Sequence, residues 1–109
     1  LLFLFSSSAV AAGYYKSGNQ LLSDCGVVGE GLSAEAYCLG YIASVADSHN
    51  TLNGWGRLTK KDYCMPIEVT QGQSRRIVVK YLKENPGMLH QTASSLVLLA
   101  FFNTFPCAE

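Results

Sequence analysis

Cys25, Cys38, Cys64 and Cys107 have the most chemistry to offer in this sequence, and their spacing decides which chemistry it is. Together with His49 and His90 they resemble the inventory of a zinc centre. Structural zinc sites, however, place two ligands about two to four residues apart. Here no two cysteines lie within ten residues of one another, and neither histidine falls at ligand spacing to any of them. No metal and no cofactor are expected.

Nucleophilic catalysis fares no better. It needs a base held against the nucleophile, often on a strained turn, and no G-x-S-x-G motif is present. Glu35, Asp47 and Glu84 fall as separate surface charges, so no carboxylate pair is singled out for acid–base work. His49 reads as a cap or surface residue at a helix C-terminus, and His90 as a solvent residue at the start of the last helix. The chain is not expected to be an enzyme. An even number of cysteines is the signature of disulfides, provided the chain meets an oxidising compartment.

The first residues, LLFLFSSSAVAAG, supply that provision. An apolar run followed by small residues matches the end of a secretory signal, with Ala9-Val10-Ala11 placing cleavage next to Ala12. The run is short of the roughly 20 residues a membrane span needs. Residues 1–12 are therefore expected to be a residual signal peptide, and 13–109 a single domain in an oxidising compartment. Such a small domain has a marginal core, which two disulfides would reinforce. Eight basic residues balance eight acidic ones, with no run longer than two. Binding to nucleic acid or an anionic membrane thus has no electrostatic support, and neither a nucleic-acid partner nor membrane insertion is expected.

The remaining candidate for function is adhesive. Trp55 stands in Asn53-Gly54-Trp55-Gly56-Arg57, within an irregular stretch from Asn50 to Met65. A stretch that long in a compact domain tends to be functional or disordered, and a tryptophan with a nearby arginine has the composition of a binding hot spot. The competing reading has Trp55 folding back to cap the end of the bundle.

Four helices must position these residues. Ser17 and Gln20 form a capping box that opens the first, which runs through Cys25 to a left-handed Gly26. A loop, Val27 to Leu32, follows. Ser33 caps the second helix, on one face of which Tyr37, Cys38, Tyr41, Ile42, Val45 and His49 recur. Gly40 lies inside it, where a close helix approach is expected to require it, and Asn50 is expected to break it. Thr70 and Gln73 form a second capping box for a helix with Ile77, Val78, Tyr81 and Leu82 inward, stopped at Asn85-Pro86. The last helix is expected from Met88 or His90 to Asn103. Its stripe is Leu89, Ala93, Leu96, Val97, Ala100, Phe101 and Phe105, and Leu98, Leu99 and Phe102 make it apolar nearly all round. That excess suits a central position or a subunit interface.

The fold class is therefore an all-α four-helix bundle. Four cysteines allow three connectivities. Antiparallel order sets Cys25 beside Cys38 at one end and Cys64 beside Cys107 at the other, which favours those pairs.

In order along the chain, Ser17-Gly-Asn-Gln-Leu-Leu-Ser-Asp-Cys25 and Tyr37-Cys-Leu-Gly-Tyr-Ile-Ala-Ser-Val-Ala-Asp47 resemble the first two helices of the Rap/Tai immunity proteins. Cys64-Met-Pro-Ile-Glu-Val-Thr-Gln-Gly-Gln73 is similar to that family's approach to its third helix. Val78-Val-Lys-Tyr-Leu82, Pro86, His90 and Phe105-Pro-Cys107 continue the likeness. The resemblance implies a periplasmic, homodimeric immunity protein of type VI secretion. Its partner would be a cognate peptidoglycan amidase effector, inhibited by a loop inserted in the active-site cleft. Asn53 to Arg57 would be that loop, though this pentapeptide is not a shared motif, and Arg75 and Arg76 a second contact. The alternatives are a small acid-stress holdase chaperone and an accessory subunit of an envelope complex.

Overall fold

The computed structural model describes residues 15–26, 32–58 and 63–108. Four α-helices account for most of them: α1 (Gly18–Gly26), α2 (Leu32–Gly54), α3 (Gln71–Glu84) and α4 (Ala93–Thr104). A 3-10 turn, Pro86–Met88, joins the last two, and every α-helix touches the other three. This is the expected all-α bundle, and the two disulfides are Cys25–Cys38 and Cys64–Cys107. The proposed signal remnant, residues 1–12, lies outside the described residues, as do Lys60, Lys61, Asp62 and most of the loop after Gly26.

α1 begins where its capping box requires. The Ser17 amide donates to Gln20 Oε1 at 2.8 Å, and the Gln20 amide donates to Ser17 Oγ at 3.3 Å. The other exposed amides of the first turn are met from across the bundle. Gly18 N–H donates to the Gln91 carbonyl and Asn19 N–H to the Leu89 carbonyl, both at 2.9 Å. In return the Ala93 amide, first in α4, donates to the Lys16 carbonyl at 2.8 Å. Two helix N-termini thus cap each other through a short strap, recorded also as an isolated bridge between Ser17 and Thr92. Lys16 reinforces it: its ammonium pairs with Asp24 at 2.6 Å and lies 4.4 Å from the centre of the Tyr37 ring, a cation–π contact.

The glycine that permits close helix approach is Gly18, not Gly40. A Cβ at Gly18 would collide with Leu96 and press on the Leu89 backbone, whereas one at Gly40 meets nothing within 4 Å. Gly40 faces solvent inside α2. Gly40→Ala is accordingly expected to stabilise the protein by roughly 0.5–1 kcal/mol, by restricting the unfolded chain and favouring the helix. A thermal melt checks the sign.

Other boundaries also differ from expectation. α2 starts one residue before Ser33, which therefore lies inside the helix instead of capping it. Gly26 closes α1 without a positive φ; the left-handed glycine among the described residues is Gly56, at φ 72°. α4 starts at Ala93, later than Met88 or His90, because the 3-10 turn and the strap occupy that stretch. α3 begins at its Thr70 cap, whose side chain accepts from the Gln73 amide at 3.1 Å.

Burial follows the helical stripes. Leu21, Cys38, Val78, Leu82, Leu96 and Phe101 have no exposed surface, with Val97 and Ala93 beside them. Leu98 and Leu99 are half-buried against this core, which absorbs most of the apolar excess of α4; Phe102 stays exposed. Among the described residues no helix is long and apolar enough to cross a membrane.

Candidate functional site

The stretch expected to be a loop from Asn50 is helical through Gly54. Nothing between Asn50 and Asn53 stops a helix strongly enough, and one interior glycine costs only about 1 kcal/mol. Termination comes at Gly56. Its amide donates to the Asn53 carbonyl at 3.0 Å, and the Arg57 amide reaches back to the Leu52 carbonyl at 2.9 Å. With Gly56 left-handed, this is the Schellman arrangement, in which the last free carbonyls of a helix are satisfied by the turn that ends it.

Trp55 stands at that capped end and is 70% exposed. It does not fold back over the core. Its ring helps shape a shallow hollow of about 340 Å³ with Asp47, Ser48, Thr51 and Leu52, all on α2. Gly54, Gly56 and Arg57 are exposed and Asn53 is half-buried. The five predicted residues therefore lie together as one rigid helix end and its turn.

Extending α2 changes the standing of His49. Instead of ending a helix at the surface, it continues the Cys38–Ile42–Val45 stripe and is only 6% exposed. Its ring stacks on Tyr63 at 4.7 Å, and Tyr63 tilts onto Phe101 at 5.2 Å. This ladder of three rings fastens the chain leading into α3 onto α2 and α4. His90 is exposed in the turn before α4, as expected.

Between α2 and residues 63–69 lies a cleft of about 640 Å³, walled on one side by Asp47, His49, Asn50 and Asn53 and on the other by residues of the 63–69 stretch. The second wall is fixed at several points. Tyr63 is buried, Cys64 is bonded to Cys107 and donates its amide to the Phe105 carbonyl at 2.8 Å, and Val69 N–H closes a turn on the Pro66 carbonyl at 3.2 Å. That turn holds Ile67 out, 95% exposed. Asp47 borders both the cleft and the Trp55 hollow, so α2 forms a ridge between two concavities, with Trp55 and Ile67 as apolar points on either side.

Ile67 and Leu52 were not singled out from the sequence. The sequence gives little signal for Leu52, which lies seven residues after Val45 in the register of the buried stripe yet is 41% exposed, whereas Ile67 directly follows a proline.

Arg75 and Arg76 lie elsewhere, on α3, and the structure does not bring them to the Trp55 ridge. The Arg75 guanidinium donates to the Cys25 carbonyl near the C-terminal end of α1, where a cation also suits the helix dipole. Arg76 is exposed. Both line a groove of about 410 Å³ with Val79, Lys80 and Lys83. Opposite charge marks the two surfaces: α2 carries Glu35 and Asp47 and no lysine or arginine, whereas α3 carries four cations against Glu84.

Among the described residues no three histidine, cysteine, aspartate or glutamate side chains gather in a way that would hold a metal ion. What these surfaces offer is shape, apolar points and hydrogen-bonding groups on a stiff frame, which suits recognition of another macromolecule.

Comparison with known proteins agrees with that character. Neither a curated protein nor a solved structure matches the chain. The family model described as Rap1a immunity proteins matches residues 17–107, from the Ser17 cap to the last cysteine. The two bridges, the α2 ridge and all of the strap but Lys16 fall within that span, and the chain belongs to the Rap1a immunity protein family.

Proposed function

We propose that this chain neutralises a peptidoglycan amidase effector by seating the capped end of α2 in the enzyme's active-site cleft. Family membership makes it an immunity protein for a type VI secretion effector, a role that needs no catalysis from the inhibitor. The observation that carries the finer reading is Trp55: a tryptophan 70% exposed on a helix end whose carbonyls are already satisfied. Such a residue loses little conformational freedom on binding and brings a large apolar surface, the combination that makes a hot spot. Leu52 and Ile67 widen the contact, and Asn53 and Arg57 supply polar anchors. In a homodimer, Arg75 and Arg76 of the second subunit would offer an additional contact through the basic groove of α3. The site of action is the periplasm, reached through the apolar leader, where both disulfides persist.

The test is co-expression with the amidase encoded beside this gene, followed by pull-down and a cell-wall hydrolysis assay. Tight inhibition of that one partner is expected. Weak binding to many unfolded proteins would instead identify a holdase. Trp55→Ala should weaken inhibition tenfold or more, equivalent to about 1.4 kcal/mol, with an unchanged melting temperature. A fall in melting temperature at constant affinity would remove Trp55 from the interface.

A further inference from the structure

The two disulfides occupy opposite environments. Cys25 and Cys38 are sealed in the core with no exposed surface. Cys64 is exposed, Cys107 is half-buried, and neither belongs to the core cluster. Thiol–disulfide exchange needs a thiolate to reach a sulfur, so access governs its rate. In the folded protein a reductant can approach Cys64–Cys107, while Cys25–Cys38 becomes available only when the bundle opens.

The accessible bridge is also the one that matters to the cleft. It ties the wall formed by residues 63–69 to the chain after α4, where the Cys64 amide bonds to the Phe105 carbonyl and the Phe105 amide bonds to the Phe101 carbonyl at 2.7 Å. Without it, this wall is held by the Tyr63 ring, the Cys64–Phe105 backbone bond and the partly buried Met65 at one end and by the Thr70 cap at the other. Pro66 to Glu68, between them, are exposed. Neither cysteine of this bridge belongs to the buried core of the four helices.

We propose that Cys64–Cys107 is a redox clasp on the cleft: oxidation fixes the 63–69 wall in its binding position, and reduction frees it while the helices remain folded. The reductant is a dithiol. One of its thiolates attacks Cys64 Sγ and forms a mixed disulfide, and Cys107 leaves as a thiolate that takes up a proton. The second thiolate of the reductant then displaces Cys64, which is protonated in turn. Two electrons and two protons pass to the protein, and the reductant ends as its own disulfide. A chain held in a reducing environment would thus be folded but weakly inhibitory, and would gain its affinity on oxidation. This functional half rests on the cleft and the Trp55 ridge being the effector-binding face.

Graded reduction of the intact oxidised protein with dithiothreitol, alkylation and peptide mapping tests the chemistry. Cys64 and Cys107 should be labelled roughly tenfold or more faster than Cys25 and Cys38, as access dictates. At the stage where only the first pair is labelled, the far-UV circular dichroism should be unchanged. Amide hydrogen exchange should speed up in residues 63–69 and 105–108, and inhibition of the neighbouring-gene amidase should fall about tenfold or more. Equal labelling rates, or prior opening of Cys25–Cys38, overturn the clasp, as does unchanged exchange in the opened protein. Altered exchange with undiminished inhibition overturns its control of binding. If the oxidised protein fails to inhibit the amidase at all, the effector reading falls, and labelling and exchange alone decide the clasp. The Cys64→Ser/Cys107→Ser variant supplies a permanently open form; should it not fold, reduction of prefolded protein answers the same question.

Discussion

Phe101→Ala is expected to lower the unfolding free energy by about 3–5 kcal/mol, the cost of emptying a fully buried aromatic site. Domains of this size have only about 5–15 kcal/mol in total, so the variant should be close to the edge of stability. Two effects add up at this position. The ring has no exposed surface and lies among Leu82, Leu96 and Val97 in the core cluster. It also supports Tyr63, on which His49 stacks, so its loss removes the floor beneath the cleft wall. A thermal melt should show a drop of at least about 12 °C, at roughly 4–8 °C per kcal/mol. The adjacent Phe102 is the control. It is 48% exposed, and its replacement by alanine should cost a small fraction of that amount. Equal losses at the two positions would contradict the burial pattern of α4.

The second large effect concerns Cys25–Cys38. In the chain-entropy model a bridge closing this thirteen-residue separation contributes about 3 kcal/mol, and the space left by two buried sulfurs adds to the loss. Cys25→Ala/Cys38→Ala should therefore shift a urea melt to markedly lower midpoint. The damage should also be local. α1 has nine residues, too few to be helical by itself in water, where about 12–15 are needed even for good sequences. It persists because it is capped by Ser17, strapped to Gln91 and Leu89, clamped by Arg75 and bonded to α2. Hydrogen exchange should accordingly rise first in α1, ahead of α3 and α4.

What could be read in advance was chemistry complete within a few residues. The Ser17–Gln20 capping box, the Thr70 cap and the Asn85-Pro86 stop each act within one turn, and all three appear in place. The disulfide pairing was legible because antiparallel helices leave each cysteine near one partner. Most errors arose where a distant segment decides. One difference is local: Asn53-Gly54 looks like a turn, yet α2 runs through Gly54 and ends in the turn that the left-handed Gly56 closes. His49 was misjudged with it, since its burial depends on the extra turn of helix and on Tyr63 fourteen positions further on. The start of α4 is set by the Lys16 carbonyl, which no local pattern near Ala93 reveals. Gly18 and Gly40 were distinguishable only by what packs against them. For the Trp55 segment, the residues were legible and their conformation was not: a glycine-flanked tryptophan reads as part of a loop and proves to stand at the capped end of a helix.

The mutual capping of α1 and α4 has a consequence for how the chain is made. Ribosomes deliver the N-terminus first, but the amides of Gly18 and Asn19 find their acceptors only at Gln91 and Leu89. The first helix thus cannot be finished until more than seventy further residues have emerged, by which time α2 and α3 are already present. Contacts of such long range are paid for in loop-closure entropy before they return anything. The bundle should therefore close late and as one unit, leaving the growing chain open for most of its synthesis. The same strap that locks the folded bundle is thus the last part of it to form.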